Sequence, residues 1–435
     1  MHERFARSEW FRHDRFGLFI HWGAYAVPAR GEWVRSVERI SVEDYQQHVD
    51  AFQPDSFDPG AWADAAVAAG MKYAVLTAKH HDGFCLFDSQ LTDYSTMHNG
   101  LGRDVVAEFL DAFRSRGLKV GLYYSLLDWH HPDYPAYGDA HHPMRENPEW
   151  QGRTHDFDRY LEYLHGQVRE LCTRYGQLDI LWFDFSYDDM TAEKWRAKEL
   201  VEMVRELQPG VLIDNRLEAS GSQKGSIVTD SPTPFSGDFA SPEQIIPTEG
   251  VRTGSGDAVP WEACITLNNH WGYNAFDTMW KPSELVVRKL VECVSKGGNL
   301  LLNVGPDARG RFPKPAVDIL HEVGAWLREN GESVYGAGAS TLPKPEWGRY
   351  TQRDDTVYAH VLEAPVGPLA LTPLRPDQVA DIRLVADGTD LPLAGGWHSP
   401  ERAENALVAF GPDQTSTYPL PDPVDTVLAV RLAGH

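Results

Sequence analysis

Up to about Tyr335 the chain alternates short apolar, β-branched or aromatic runs with long amphipathic stretches, and this alternation most narrows the folds open to it. Such a run is a strand buried on both faces, and an amphipathic stretch between two of them is a crossover helix, so the pattern predicts βα units around a parallel sheet. The strand candidates are Gly17–Trp22, Tyr73–Ala78, Lys119–Ser125, Asp179–Phe185, Val211–Asn215, Ser226–Thr229, Ala263–Leu267 and Asn299–Val304. Helical patterns cover Pro59–Ala69, Asp104–Arg116, Asp156–Tyr175, Ala192–Leu207, Pro282–Ser295 and Ala316–Glu329. Pro282 with Ser283 marks a helix start. Gly70, Gly117 and Gly176 stand just past three helix ends, where a left-handed residue is needed.

Eight strands over this length predict a (β/α)8 TIM-like barrel. The residues beyond the ~250 of a typical barrel fall in long βα loops, notably 126–155 and 230–262, and in such barrels those loops build the active site. A doubly wound open sheet fits less well, because no Gly-rich phosphate loop follows the first strand. After about Gly338 the character changes to short strand candidates at Tyr350–Thr351, Val357–Val361, Leu369–Leu371, Ile382–Val385, Leu407–Phe410 and Val427–Val430. Turns such as Asp354-Asp355, Asp387-Gly388 and Gly395-Gly396 separate them, which predicts a C-terminal β-sandwich. The boundary is placed near Leu342, giving a catalytic barrel over 1–341 and a sandwich over 342–435.

Composition removes several function classes. Hydrophobic residues at 42% and charged residues at 24% of 435 are globular values. A net charge of −23, with no basic run set apart from it, argues against nucleic acid and anionic membrane as partners. Cys85, Cys172, Cys264 and Cys293 form no CxxC pair and read as reduced core thiols rather than zinc ligands or a disulfide framework. No run approaches the ~20 apolar residues of a membrane span. The charged N-terminus does not read as a signal peptide, so a cytoplasmic location is expected for the chain as given. Self-association into a homo-oligomer is compatible with the sequence. The 14 tryptophans, 17 tyrosines and 18 phenylalanines offer flat apolar faces with polar handles that suit sugar rings, although many must simply fill the core.

Polar residues gather where the predicted strands stop. The first ends Phe19-Ile20-His21-Trp22-Gly23, and the second ends Ala78-Lys79-His80-His81-Asp82-Gly83-Phe84, with a cation, two imidazoles and a carboxylate in four positions. The third leads through Tyr123-Tyr124-Ser125 to Asp128-Trp129-His130. The fourth, Ile180-Leu181-Trp182-Phe183-Asp184, puts a carboxylate at the tip of an apolar run, where it must meet polar partners or be desolvated at a cost of several kcal/mol. Its bland reading is the N-cap of the next helix. The fifth supplies Arg216. Glu243 and Glu262, in the long loop that follows, are rivals for a second catalytic carboxylate.

Two acids, several imidazoles and many rings at a barrel mouth, with no cofactor fingerprint, point to hydrolysis of a glycoside. In the retaining mechanism one carboxylate attacks the anomeric carbon, and the other, ~5–5.5 Å away, protonates the leaving oxygen and then activates water. Asp184, fixed on a strand, suits the nucleophile; Glu243 or Glu262, on a loop, suits the acid. A metal-dependent hydrolase using His21, His80, His81 and Asp184 is the rival within enzymology, although the His-X-His pair usual on strand one is missing. A lectin-like binder on a decayed barrel is the rival outside it.

At these residues the chain resembles the α-L-fucosidases of glycoside hydrolase family 29. The motifs carrying the resemblance are Phe16-Gly17-Leu18-Phe19-Ile20-His21-Trp22-Gly23, Lys79-His80-His81-Asp82-Gly83-Phe84, Leu181-Trp182-Phe183-Asp184 and Gly298-Asn299-Leu300-Leu301-Leu302-Asn303-Val304-Gly305-Pro306, in the family's order. The resemblance implies that Asp184 is the nucleophile and that His21, His80 and His81 hold the sugar hydroxyls. It implies a further polar contact and a ring from Glu32 and Trp33, a pocket lined by Tyr123, Trp182 and Arg216, and Trp271 near the C5 methyl of fucose. Asp238-Phe239 followed by Glu243 looks like the family's acid/base segment, so the resemblance favours Glu243 and leaves Glu262 as runner-up. It implies no metal and no other cofactor, and a fucosylated oligosaccharide or glycoconjugate as substrate. Aglycone, linkage and the distinction from L-galactose or L-glucose stay open.

Overall fold

A computed structural model describes residues 6–394, 404–412 and 416–434. The N-terminal part is built on a seven-stranded parallel sheet: β1 Phe16–Ile20, β2 Tyr73–Lys79, β3 Lys119–Ser125, β4 Ile180–Asp184, β5 Leu212–Ile213, β6 Glu262–Thr266 and β7 Asn299–Val304. They run in the order β5-β4-β3-β2-β1-β7-β6. Nearly every residue of these strands is buried, because helices cover the outer face while side chains of the inner face fill the middle. The helices Pro59–Ala68, Val105–Arg114 and Phe157–Arg174 start on Asp58, Asp104 and Asp156, each of which caps a backbone N–H near the helix start with its carboxylate. Gly70, Gly117 and Gly176 close helix ends at φ of +82°, +74° and +70°, as expected. This architecture is TIM-like. Among the described residues no helix is long and apolar enough to cross a membrane.

The expected sixth strand at Ser226–Thr229 is not a strand. Residues Gly225–Val228 form a 3-10 turn, because the Glu218 carboxylate accepts from both the backbone N–H (2.7 Å) and the Oγ (2.9 and 2.7 Å) of Ser226. Extended chain appears later instead: Asp214 bridges Phe239 in parallel, while Ala240 bridges Trp261 and Glu243 bridges Cys264. Residues 239–243 therefore touch both edge strands, β5 and β6. Gly237, at φ +80°, permits this approach, since a Cβ there would lie 2.1 Å from the Asp214 carbonyl oxygen. The predicted helix Ala192–Leu207 is also broken: Arg196 turns left-handed at φ +48° between a 3-10 turn and the helix Ala197–Leu207.

The C-terminal part carries a five-stranded antiparallel sheet ordered β12-β14-β10-β9-β8, from β8 Gly338–Ala339, β9 Gly348–Arg353, β10 Thr356–Val361, β12 Val379–Leu384 and β14 Thr426–Leu432. A second small sheet pairs β11 Leu369–Ala370 with β13 Leu407–Val408. Side chains of both sheets, among them Tyr350, Val357, Leu369, Val408 and Leu428, share one apolar cluster. The sheet docks on the N-terminal part through buried polar contacts: Trp326 Nε1 donates to the Asp425 carbonyl at 3.3 Å, and Thr351 Oγ1 donates to the Ser333 carbonyl at 2.8 Å. The expected turn at Gly395-Gly396 lies outside the described residues.

Candidate active site

The parallel strands direct their C-terminal ends to one side, and the residues following them converge on a pocket of about 340 Å³. Of the residues singled out in the sequence, His21, Trp33, His80, His81, Tyr123, Trp182, Asp184, Glu243 and Trp271 line it, joined by Phe19, Phe185 and Cys264. Arg216 lies just behind the wall and Glu32 beside it; Glu262 is elsewhere.

Asp184 ends β4 and caps no helix, since the next helical turn starts after Thr191. Tyr123 donates its hydroxyl to Asp184 Oδ2 at 2.9 Å, and Arg216 Nη1 donates to Oδ1 at 3.1 Å. The same guanidinium donates through Nη2 to Glu243 Oε2, also at 3.1 Å. Arg216 is itself buried and aimed by the 239–243 segment, because Nε donates to Ser241 Oγ at 2.9 Å and Nη2 to the Ser241 carbonyl at 3.0 Å. One buried cation thus clamps both carboxyl groups and balances the charge of one of them. Burial pushes the Asp184 carboxyl up and Glu243 adds to this, while Arg216 and Tyr123 hold it down. For Arg216 burial acts downward, but Asp184 and Glu243 prevail and raise it. The Asp184 side chain is 13% exposed and that of Glu243 31%. The first sits deeper, and the second lies nearer solvent.

The three imidazoles are neutral, since burial pulls His21 down to about 3 and holds His80 and His81 well below their usual range. Asn303 donates its amide to the Trp271 carbonyl (2.8 Å), so its Oδ1 faces His21 Nδ1 at 2.7 Å and assigns the proton to that nitrogen. Ser125 spends its proton on the Leu127 carbonyl (2.8 Å), so His81 Nδ1 donates to Ser125 Oγ at 2.7 Å. Its Nε2 is left as an acceptor 3.9 Å from Asp184 Oδ2. His80 Nδ1 is buried without a hydrogen-bond partner among the described residues. Acceptors and a spare ring nitrogen in a pocket walled by Trp33, Trp182 and Trp271 fit hydroxyl groups on a ring with apolar faces. Glu32 accepts from the Gly272 N–H at 2.8 Å and so ties the loop of Trp33 to that of Trp271. Lys79 and Asp82 belong to the core: Lys79 pairs with Asp128 at 3.0 Å, and Asp82 accepts from the Tyr45 hydroxyl at 2.8 Å.

Glu262 begins β6 in register with Asn299 at the start of β7, at the opposite end of the sheet from the pocket. It is fully buried, accepting from Tyr73 Oη at 2.8 Å and from Trp182 Nε1 at 3.0 Å. Burial pushes it from the ordinary 4.5 up to about 7 against those two bonds. A carboxyl raised by folding stabilises the fold below its unfolded value, and that contribution is lost as pH rises through the folded one. Glu262→Gln is therefore expected to lose less thermal stability than the parent between about pH 5 and pH 8. Melting curves across that range check this, and parallel profiles would contradict it.

Sequence reasoning left Asn303 and Ser125 without their roles in orienting imidazoles, and assigned nothing to Phe19, Phe185 and Cys264 in the wall. It also passed over Asp214, buried with Oδ1 accepting from the Phe183 N–H (3.1 Å) and Oδ2 unpartnered among the described residues. The signals were present: Ser125 ends β3 and Asn303 stands one residue before the end of β7, close to the same strand ends that supply His21, His80, His81 and Asp184. Among the described residues no three His, Cys, Asp or Glu side chains converge as metal donors.

The chain is similar over most of its length to known alpha-L-fucosidases. A family model described as Alpha-L-fucosidase matches residues 2–332. The solved structure of alpha-L-fucosidase isoenzyme 1 from Paenibacillus thiaminolyticus is 57% identical, covers 99% of this chain and 100% of its own, and superposes with a TM-score of 0.94. An alpha-L-fucosidase GH29 from Bacteroides thetaiotaomicron, a trapped covalent intermediate with 2-fluoro-fucosyl fluoride, is 28% identical over 99% of this chain and 96% of its own, with a TM-score of 0.83. Human plasma alpha-L-fucosidase is 30% identical over 386 residues, 82% of this chain and 76% of its own.

Proposed function

The chain belongs to the alpha-L-fucosidase family of glycoside hydrolases, and on that footing we propose that it is a retaining exo-glycosidase removing terminal α-L-fucose from a fucosylated oligosaccharide or glycoconjugate. The observation that carries this reading is the clamp: Asp184 and Glu243 bond to neighbouring nitrogens of one guanidinium, each at 3.1 Å. Two carboxylates held by one small cation suit the ~5–5.5 Å pair of a retaining enzyme better than the wider pair that must admit a water between them.

In this mechanism ionised Asp184, deeper and held by Arg216 and Tyr123, attacks the anomeric carbon and forms a β-linked fucosyl-enzyme. Glu243, the more exposed acid, gives its proton to the departing oxygen and then takes one from the water that releases fucose. Neutral His21, His80 and His81 receive the sugar hydroxyls, and the ring of Trp271, packed 5.0 Å from that of His21, faces the C5 methyl. The fold reading that goes with it is a closed (β/α)8 barrel over 1–341, with residues 239–243 as the missing strand, followed by a β-sandwich over 342–435. The parallel bridges of that segment to both edge strands and the apolar cluster shared by the two C-terminal sheets support it.

A panel of aryl glycosides tests the activity. Turnover of the α-L-fucoside well above that of other sugars is expected, and no turnover of any α-L-fucoside would sink the reading. The same panel separates fucose from its relatives. If Trp271 packs on the methyl, Trp271→Ala should lose roughly tenfold more kcat/KM on the α-L-fucoside than on the α-L-galactoside, which carries a hydroxymethyl there. Equal losses would make the ring a general support of the pocket.

A further inference from the structure

One wall of the pocket continues outward as aromatic rings that the hydrolytic mechanism does not use. Phe185 follows Asp184 directly and sits at φ +118°, a backbone conformation that a bulky L-residue rarely adopts and that needs a reason to persist. Its half-buried ring lies on the pocket rim, 5.4 Å from Trp33 and 5.0 Å from His141. His141, from the long loop after β3, meets Tyr187 at 4.8 Å. The interplanar angles along this path, 81° and 71°, are edge-on rather than stacked, so each contact covers one face of one ring only and leaves the other faces uncovered by it. All three rings keep partial exposure. The Tyr187 hydroxyl donates to the Asp139 carboxylate and shares a 2.8 Å bond with that of Tyr134. Beyond Tyr134 the same loop opens a groove of about 1080 Å³, with Tyr137 and Trp150 in its walls.

We propose that Phe185, His141 and Tyr187 form an acceptor track that holds the glycan from which fucose is cut, and that this glycan is neutral. The proposal rests on the fucosidase reading above and names its substrate more closely. Rings spaced about 5 Å apart, with hydroxyl and carboxylate handles beside them, match a chain of sugar units whose apolar faces stack while their hydroxyls bond sideways. Burial holds His141 below its usual range, so it adds no cation at neutral pH. Asp189 pairs with Lys194 at 3.5 Å. Asp188, exposed next to Tyr187, and Asp139, which accepts from the Tyr187 hydroxyl, place negative charge at the edge of the track and outweigh the Arg145 cation on the His141 carbonyl. That charge disfavours a sialylated or sulfated glycan, all the more at low salt.

The test compares α-L-fucosyl fluoride, which has no glycan to hold, with a neutral fucosylated trisaccharide. His141→Ala and Tyr187→Ala should each lose about tenfold in kcat/KM on the trisaccharide, mainly through KM, while fucosyl fluoride changes less than about twofold and certifies the folded pocket. Tyr187→Phe, which keeps the ring, should stay within about threefold of the parent on both. A sialylated analogue should be cleaved more slowly than the neutral one by the parent, with the gap narrowing as salt is raised. Parallel losses on fluoride and trisaccharide, or unchanged trisaccharide cleavage in both alanine variants, would overturn the track and leave the fucosidase reading standing. Failure of the parent to turn over fucosyl fluoride would overturn both.

Discussion

Asp184→Gly is expected to lower turnover of an activated aryl α-L-fucoside by several orders of magnitude, and azide is expected to restore part of it. On the proposed mechanism this carboxylate carries the covalent step, and without it water must attack an unactivated anomeric centre. Glycine leaves a space beside Arg216 and Tyr123 that a small anion can enter, and azide attacking there should give the β-fucosyl azide. Arg216 loses one of its two carboxylate partners in this variant, so melting curves belong beside the kinetics to separate chemistry from stability. A loss smaller than about tenfold would remove Asp184 from the covalent step.

Glu243→Ala should show a different signature, set by the leaving group. A nitrophenolate departs without a proton and a sugar alkoxide does not, so this variant should cripple cleavage of a fucosyl disaccharide far more than that of a nitrophenyl fucoside. With azide present it should accumulate the α-fucosyl azide, formed on the β-linked fucosyl-enzyme from the face opposite Asp184. Glu262→Ala should show neither effect. Its expected fault is structural, because it removes the acceptor of Trp182 Nε1 and Tyr73 Oη and so loosens the floor of the pocket for every leaving group. If the leaving-group dependence and the azide product appear in Glu262→Ala instead, the two acids exchange roles.

Much of this was legible in the sequence for a physical reason. Parallel strands covered on both faces must be apolar throughout, so β1 to β4 and β7 stand out as runs such as Ile180-Leu181-Trp182-Phe183, and a carboxylate ending such a run announces itself. Segment 239–243 carries no such run. It contains Pro242, which has no N–H to donate, and it is held by isolated bridges rather than a ladder. Ser226-Ile227-Val228-Thr229 has the composition of a strand but is turned by one carboxylate, that of Glu218, from eight residues earlier. The rivalry of Glu243 and Glu262 had the same root. Both are acids in one long loop when read in line, and only the register of Glu262 with Asn299 places it at the far end of the sheet. Likewise the clamp joins residues 184, 216 and 243, and no local pattern encodes that a single guanidinium reaches both acids.

The account stands on Asp184 forming a bond to fucose. The direct measurement is to inactivate the protein with 2-fluoro-α-L-fucosyl fluoride, whose fluorine slows release of the glycosyl-enzyme, and to locate the label by mass spectrometry of the intact chain and its peptides. The account predicts one fluorofucosyl group per chain, carried on the peptide containing Asp184 and absent from Asp184→Gly. A label on any other residue, or steady turnover of other fucosides with no covalent adduct, would contradict it.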